Sequence, residues 1–118
     1  MADEQSGWRI EFYVTRTGET PMKTFLVGLA GDHKAQAAAM LERLRREGNQ
    51  VQRSRPIETG LFEVKGYQVR LYFVYRPGRR IVVLDGDVKK QDKIAQDALK
   101  RIRAYRRDLE AREQRGSS

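Results

Sequence analysis

The chain has 118 residues, 39% of them hydrophobic, which suits one domain with a modest core. Lys and Arg number 24 against 16 Asp and Glu, a net charge of +8, and this surplus favours a polyanionic partner, nucleic acid first and an acidic protein second. The absence of Cys excludes disulfides, thiol nucleophiles and Cys-ligated zinc, and a lone His33 excludes a His-pair metal site.

No apolar run approaches the ~18 residues of a membrane span, and the first residues are polar rather than signal-like. We therefore expect a soluble, cytoplasmic protein with no cofactor and no membrane partner. The polar ends, residues 1–7 and 113–118, are expected to be disordered around a single domain of residues 8–112.

The first half of the chain predicts a strand and then two helices. Residues 8–15 alternate apolar and polar side chains, as in a half-buried strand. Thr20 and Pro21 are typical of a helix start. Apolar residues at helical spacing then predict a helical hairpin over residues 20–48, interrupted at Gly31.

The second half changes to the period of strands. Three short apolar segments joined by tight turns predict an antiparallel meander of residues 61–65, 67–75 and 80–88. A helix over residues 92–112 follows, with an apolar stripe of Ile94, Ala98, Ile102, Tyr105 and Leu109. The order predicts an α+β domain with its helices packed on one face of the sheet.

Basic residues concentrate in two regions. Residues 89–118 hold ten Lys and Arg against five Asp and Glu, and a second cluster contains Arg43, Arg45, Arg46, Arg53 and Arg55. A solvated helix face with i,i+4 ion pairs explains the distal arginines about as well as a binding role does. Lys89 and Lys90 directly follow a strand, and such a junction is a better place for a site than for solubilising charge.

The period of two in the meander predicts an open sheet face displaying Glu63, Lys65, Arg70 and Tyr72, with Lys89 and Lys90 at its rim. Cations beside an aromatic ring suit a phosphate backbone and a stacked base. Cross-strand pairing of Glu63 with Arg70 on a wet face is the alternative. The candidate catalytic residues are Arg70, Lys65, Lys89 and Lys90, and the candidate RNA-binding residues are Tyr72, Lys93, Arg101, Arg45 and Arg46.

Such a set could cleave RNA without a metal, because the 2′-hydroxyl can attack its own phosphate. Arg70 and a Lys would hold the phosphate, and a Lys crowded by other cations could transfer a proton. A basic surface without catalysis fits the same residues. Asp85, Asp87 and Asp92 could hold magnesium, but lysines flank them, and we favour a turn at Asp85-Gly86-Asp87.

An ordered set of motifs runs through residues 60–103. It comprises Leu61-Phe62-Glu63-Val64-Lys65, Tyr67 to Phe73 with Arg70, an apolar strand ending in a Gly-Asp step, two lysines followed by Gln91-Asp92, and a helix. This set resembles the RelE/HigB/ParE superfamily of toxins from type II toxin–antitoxin systems, and more narrowly its phage-derived Gp49-like, addiction-module-killer branch. The strand at residues 8–14 and the helix from Pro21 to Leu29 also resemble that branch.

The resemblance implies a RelE-like fold and an antitoxin partner, often a helix-turn-helix protein of the HigA kind. For RelE- and HigB-like members it implies metal-independent cleavage of mRNA on the ribosome. It matches Lys65 to a basic residue of the second-strand motif, Arg70 to the arginine that contacts the scissile phosphate, and Lys89 and Lys90 to a basic pair.

Two positions depart from the RelE pattern. Glu63 stands where RelE is basic, and no Tyr or His directly follows Lys90. ParE-like members poison DNA gyrase instead of cleaving RNA. A gyrase-poisoning toxin, a nucleic-acid-binding domain without catalysis, and an inert prophage relic are therefore the alternatives.

Overall fold

The computed structural model describes residues 7–90 and 93–116. Its elements are β1 (Arg9–Phe12), α1 (Pro21–Val27), α2 (Gly31–Glu47), a turn of 3-10 helix (Gly48–Gln50), β2 (Ser54–Glu58), β3 (Leu61–Lys65), β4 (Val69–Arg76), β5 (Arg80–Val88) and α3 (Gln96–Gly116). The predicted strand, helical hairpin, meander and C-terminal helix are all present in the expected order, so the α+β class is confirmed.

The start and the end of the helical hairpin are each explained by the residue found there. Pro21 is the first residue of α1, where its missing N–H costs nothing. Gly48 ends α2 with a φ of 55°, and a Cβ there would lie 2.0 Å from Nε1 of Trp8. Gly31 does not separate the helices, as predicted, but is the first residue of α2.

The sheet has five strands in the order β1-β5-β4-β3-β2. Strands β3, β4 and β5 form the predicted antiparallel meander, and β1 pairs in parallel with β5 at one edge. The other edge is β2, antiparallel to β3, which the sequence did not predict. Its residues include Arg55 and Pro56, and charge and proline are typical of edge strands but hide the apolar alternation.

Helices cover both faces of the sheet, so the prediction of helices on one face is wrong. Met22 of α1 and Leu44 of α2 pack with Leu71 on one face, and Ile102 of α3 packs with Val74 on the other. The interior of β4 is buried at successive positions rather than at alternate ones. A strand of this kind is covered on both sides.

The apolar stripe predicted for the last helix packs against the second face, with Ile102 at its centre. The helix is longer than predicted at its C-terminal end, because Arg76 of β4 donates a hydrogen bond of 2.8 Å to Glu113. Residues 113–116 are thus helical rather than a disordered tail. The predicted disorder of residues 1–6 and 117–118 lies outside the described residues.

None of the described helices has both the length and the apolar character needed to cross a membrane.

Candidate functional site

Two rows of polar side chains cross the three central strands on the face that α3 covers. Pairing between the strands places Lys65, Arg70 and Asp87 opposite one another in one row, and Glu63, Tyr72 and Asp85 in the next. Opposed residues on antiparallel strands lie about 4.5–5.5 Å apart, close enough for their side chains to interact directly. Strand pairing in the meander therefore brings residues that are distant in the sequence into one polar cluster.

A β-bulge puts both aspartates of β5 on this face. The register between β4 and β5 shifts by one residue, from Tyr72 opposite Asp85 to Phe73 opposite Val83, so Leu84 is the extra residue. Leu84 packs in the core beneath α3, and Asp85 also accepts a hydrogen bond from α3. Strict alternation from Leu84 would have turned Asp85 and Asp87 toward the other face.

Glu63 joins three basic side chains although it is fully buried. Its Oε1 accepts a hydrogen bond of 2.7 Å from Nε of Arg55 and lies 3.6 Å from Nζ of Lys65. Its Oε2 lies 3.4 Å from Nε of Arg70, which is itself buried. One carboxylate thus faces three cations from β2, β3 and β4, and it holds the Arg70 guanidinium in place.

Tyr72 and Asp87 form the second buried contact. The Tyr72 hydroxyl donates a hydrogen bond of 2.8 Å to Oδ2 of Asp87. Burial raises the pKa of Asp87 above its usual value, opposed by the Tyr72 hydrogen bond and by the positive charges of Arg70 and Arg101. Burial likewise raises the pKa of the Tyr72 hydroxyl, which therefore stays a proton donor.

A cavity of about 240 Å³ opens beside these rows, between the end of β5 and the start of α3. Five basic side chains line it: Arg70, Lys89, Lys90, Lys93 and Arg101. Among the described residues, Asp87 and Asp97 are the carboxylates of its wall. We call this the cationic cavity. Sites for whole small molecules usually measure about 300–1,000 Å³, so its size suits a phosphodiester and its nearest atoms.

A family model described as phage derived protein Gp49-like (DUF891) matches residues 24–107. The chain belongs to the phage-derived Gp49-like family. Comparison with curated protein sequences finds no match.

Among solved structures, the Gp49-like chain is similar to a chain of the toxin–antitoxin complex RelBE2 from Mycobacterium tuberculosis. The TM-score is 0.56 at 18% sequence identity, and the match covers 70% of this chain and 99% of that one. At that identity the likeness shows the fold, which is RelE-like. The predicted resemblance to the RelE-like superfamily and to its Gp49-like branch is confirmed.

The structure of the Gp49-like chain brings most of the predicted site residues together. Arg70, Lys89 and Lys90 line one cavity, and Lys93 and Arg101 join them. Nε of Arg101 also donates a hydrogen bond of 2.9 Å to Asp85, which ties α3 to the sheet. Lys65 lies in the next strand opposite Arg70 and is directed to Glu63 rather than to the cavity wall.

The open sheet face predicted for the Gp49-like chain does not exist. Tyr72 is 0% exposed, because α3 packs over the ring and its hydroxyl is bonded to Asp87. A base has no exposed face of this ring to stack on, so the predicted stacking role of Tyr72 is wrong. Its role in the structure is to hold Asp87.

Arg45 and Arg46 are not part of the cationic cavity. Both lie at the end of α2, on the other face of the sheet, and Arg45 pairs with Glu42 at 2.6 Å. The hydrogen bond from Arg45 lowers the pKa of Glu42. The structure thus separates the two basic clusters that were expected to bind RNA together.

Sequence reasoning missed Asp87 as a site residue. The Asp85-Gly86-Asp87 segment lies inside β5 and not in a turn, which corrects the prediction. Among the residues described, no group of three or more His, Asp or Glu side chains is placed to hold a metal ion. Asp92, the third predicted member of an acidic cluster, lies outside the described residues. The signal that could have indicated Asp87 was the presence of polar residues inside an otherwise apolar strand.

Proposed function

We propose that this Gp49-like protein is the toxin of a type II toxin–antitoxin system and acts as an endoribonuclease on mRNA bound to the ribosome, without a metal. The observation that carries the proposal is the convergence of Arg70, Lys89 and Lys90 on the cationic cavity. A target on the ribosome places the protein in the cytoplasm. Family membership and the RelE-like fold support the same assignment.

The chemistry of the cavity suits phosphodiester cleavage through the RNA's own 2′-hydroxyl. That reaction passes through a phosphorane with more negative charge than the starting diester, so fixed positive charge lowers its barrier. Arg70 is fixed by Glu63 on one side and by its neighbours in β4 and β5 on the other. A guanidinium that is already oriented loses little freedom when it binds phosphate oxygens.

Room for the flanking nucleotide lies next to the cationic cavity. A second hollow of about 370 Å³ is lined by the rings of Phe25 and Tyr105 and shares Arg101 with the first. Asp85, the ion-pair partner of Arg101, also lines this second hollow. Aromatic rings adjoining a phosphate site are typical of proteins that hold unpaired RNA.

The proposed partner is an antitoxin of the helix-turn-helix, HigA-like kind. RelBE2 is described as a toxin–antitoxin complex, and here an acidic antitoxin segment would meet a chain of net charge +8. Occupation of the cationic cavity by that segment would exclude RNA.

The test is induced expression in a bacterial host with growth and transcript integrity measured together. The wild type is expected to stop growth and to produce cuts in translated mRNA, mapped by primer extension. A Lys89→Ala/Lys90→Ala double variant is expected to relieve both effects, because these side chains lie at the rim and their loss leaves the core intact. Arg103→Ala, which removes an exposed basic residue paired with Glu58, is the matched control and stays toxic.

Intact transcripts in arrested cells would overturn the nuclease proposal. Gyrase-dependent DNA breaks in those cells would identify a ParE-like toxin instead. Normal growth on expression of the folded wild type would show an inert protein.

A further inference from the structure

We propose that Asp87 is the general base of the cleavage, the group that takes the proton from the attacking 2′-hydroxyl. The inference rests on the proposed function and adds the proton acceptor that it lacks. It supplies a proton acceptor in a sequence that has no Tyr or His directly after Lys90.

Asp87 lies beside the residue that is proposed to bind the phosphate. Asp87 stands directly opposite Arg70 in the pairing of β4 with β5, and both line the cationic cavity with Lys89. A 2′-hydroxyl is adjacent to the phosphate that it attacks. A carboxylate beside the phosphate-binding guanidinium is therefore within reach of that hydroxyl when the phosphate is bound.

The two carboxylate oxygens of Asp87 differ in their hydrogen bonding. Oδ2 of Asp87 receives the Tyr72 hydrogen bond, whereas Oδ1 is buried and has no hydrogen-bond partner among the described residues. Most buried polar atoms in proteins are paired, and an exception at a cavity points to a function. The Tyr72 bond fixes the orientation of the carboxylate, and Oδ1 is not committed to another donor among the described residues.

Among the acidic groups near the cavity that the structure describes, the others are engaged elsewhere or exposed. Glu63 is fully buried and already contacts Arg55, Lys65 and Arg70. Asp85 is bonded to Arg101 and to the backbone N–H of Gly86. Asp97 is exposed in the first turn of α3. Asp87 is the half-buried carboxylate that combines a free acceptor with a place on the cavity wall.

The groups around Asp87 shift its pKa in opposite directions. The groups facing it are Tyr72 and Arg70 on β4, Asp85 on its own strand, Arg101 on α3, and the lysines of the cavity. Burial raises the pKa of Asp87 and Asp85 adds to that effect, whereas Tyr72 and the arginines oppose it. A carboxylate with a raised pKa is a stronger base than an exposed one.

The proton of the 2′-hydroxyl moves to the Asp87 carboxylate as the 2′-oxygen forms a bond to phosphorus. The bond from phosphorus to the 5′-oxygen of the next nucleotide then breaks, and a lysine ammonium of the cationic cavity gives that oxygen a proton. The products are a 2′,3′-cyclic phosphate and a 5′-hydroxyl, and solvent returns the proton from Asp87 to the lysine.

The experiment measures single-turnover cleavage by the purified protein on ribosomes programmed with a defined mRNA, across a pH series. Asp87→Asn is expected to lower the rate by at least about 100-fold and to remove the acid limb of the pH–rate profile. Its binding to ribosomes carrying the same mRNA with a 2′-deoxy residue at the cleaved position is expected to be unchanged within about 3-fold.

Two further variants separate proton transfer from charge and from folding. Tyr72→Phe removes a hydrogen bond that lowers the pKa of Asp87, so the acid limb is expected to move to higher pH. Asp97→Asn removes one negative charge from the same cavity wall. It is expected to tighten mRNA binding and to leave the acid limb of the pH–rate profile in place. The Tyr72→Phe shift decides the question if Asp87→Asn does not fold.

Cleavage by Asp87→Asn at the wild-type rate, or an acid limb unmoved in Tyr72→Phe, would overturn the assignment of Asp87. The proposed nuclease function would then still stand, because the wild type cleaves. A wild type that leaves the mRNA intact would instead overturn the function itself, and Asp87 with it.

Discussion

Glu63 Oε2 lies 3.4 Å from Nε of Arg70, and neither side chain reaches solvent appreciably. A buried ion pair contributes little net stability when intact, but loss of one partner leaves an uncompensated charge in the interior. The pair therefore ties the stability of the fold to the residue that is proposed to bind phosphate.

Glu63→Gln is expected to destabilise the protein by about 3–5 kcal/mol, because the buried Arg70 cation loses the carboxylate that lies 3.4 Å from its Nε. The measurement is urea unfolding followed by circular dichroism. Arg55→Gln is the matched control: the Arg55 side chain is 58% exposed, and its loss is expected to cost only about 0–1 kcal/mol. Equal small losses in both variants would contradict a structural role for the buried pair.

Gly86→Ala is expected to destabilise the protein by about 1–3 kcal/mol through overpacking. A Cβ at Gly86 would lie 2.6 Å from the Phe25 ring and 2.9 Å from Leu71, so α1 could not keep its place against β5. Thermal unfolding measures the effect. A Cβ at Gly31 meets nothing within 4 Å, so Gly31→Ala is expected to leave the melting temperature equal or raised. A fully stable Gly86→Ala protein would show that α1 packs loosely.

Lys89→Ala is expected to weaken binding to a short single-stranded RNA and to reduce the salt dependence of that binding. Loss of one phosphate contact lowers the slope of log affinity against log salt concentration by about 0.7. Fluorescence anisotropy over a salt series measures the slope. Lys100→Ala removes an exposed lysine of α3 that does not line the cationic cavity and is expected to keep the wild-type slope. Identical slopes would exclude Lys89 from phosphate contact.

Asp87 is expected to make the stability of the fold fall as pH rises. Burial raises its pKa in the folded state, so the folded protein holds this proton more tightly than the unfolded chain does. That contribution is fully present below the unfolded Asp pKa of about 3.9 and is lost as pH rises through the raised folded value. The melting temperature of Asp87→Asn minus that of the wild type is therefore expected to increase from pH 4 to pH 7. A difference that decreases over this range would contradict burial as the dominant influence.

Local patterns in the sequence were sufficient for most of the fold. Apolar residues at helical spacing predicted α1 and α2 within a few residues, because each helix buries one stripe. Short apolar segments between turns predicted β3, β4 and β5. The edge strand β2 was missed because its stability comes from pairing with β3, a partner that its own residues do not indicate.

The packing of the sheet faces was harder to predict, since charged residues in a strand normally indicate exposure. Glu63 and Arg70 are buried because they neutralise each other, and that compensation appears only when β3 and β4 are paired. The orientation of Asp87 depended on the bulge at Leu84, which no local pattern indicated. By contrast, Lys89 and Lys90 could be placed beside Arg70 from topology and family resemblance alone, because β4 and β5 are joined by a tight turn.

The cationic cavity is built from two parts of the molecule that differ in how they are held. Arg70 stands on β4, which has a strand on each side and helices above and below. Arg101 lies on α3 and Lys93 lies shortly before it. This helix is attached to the sheet through side chains on one of its faces. Amide hydrogen exchange is accordingly expected to be slowest in β4 and faster in α3. The floor of the cavity thus belongs to the sheet, whereas the wall formed by α3 is held in place by side-chain contacts.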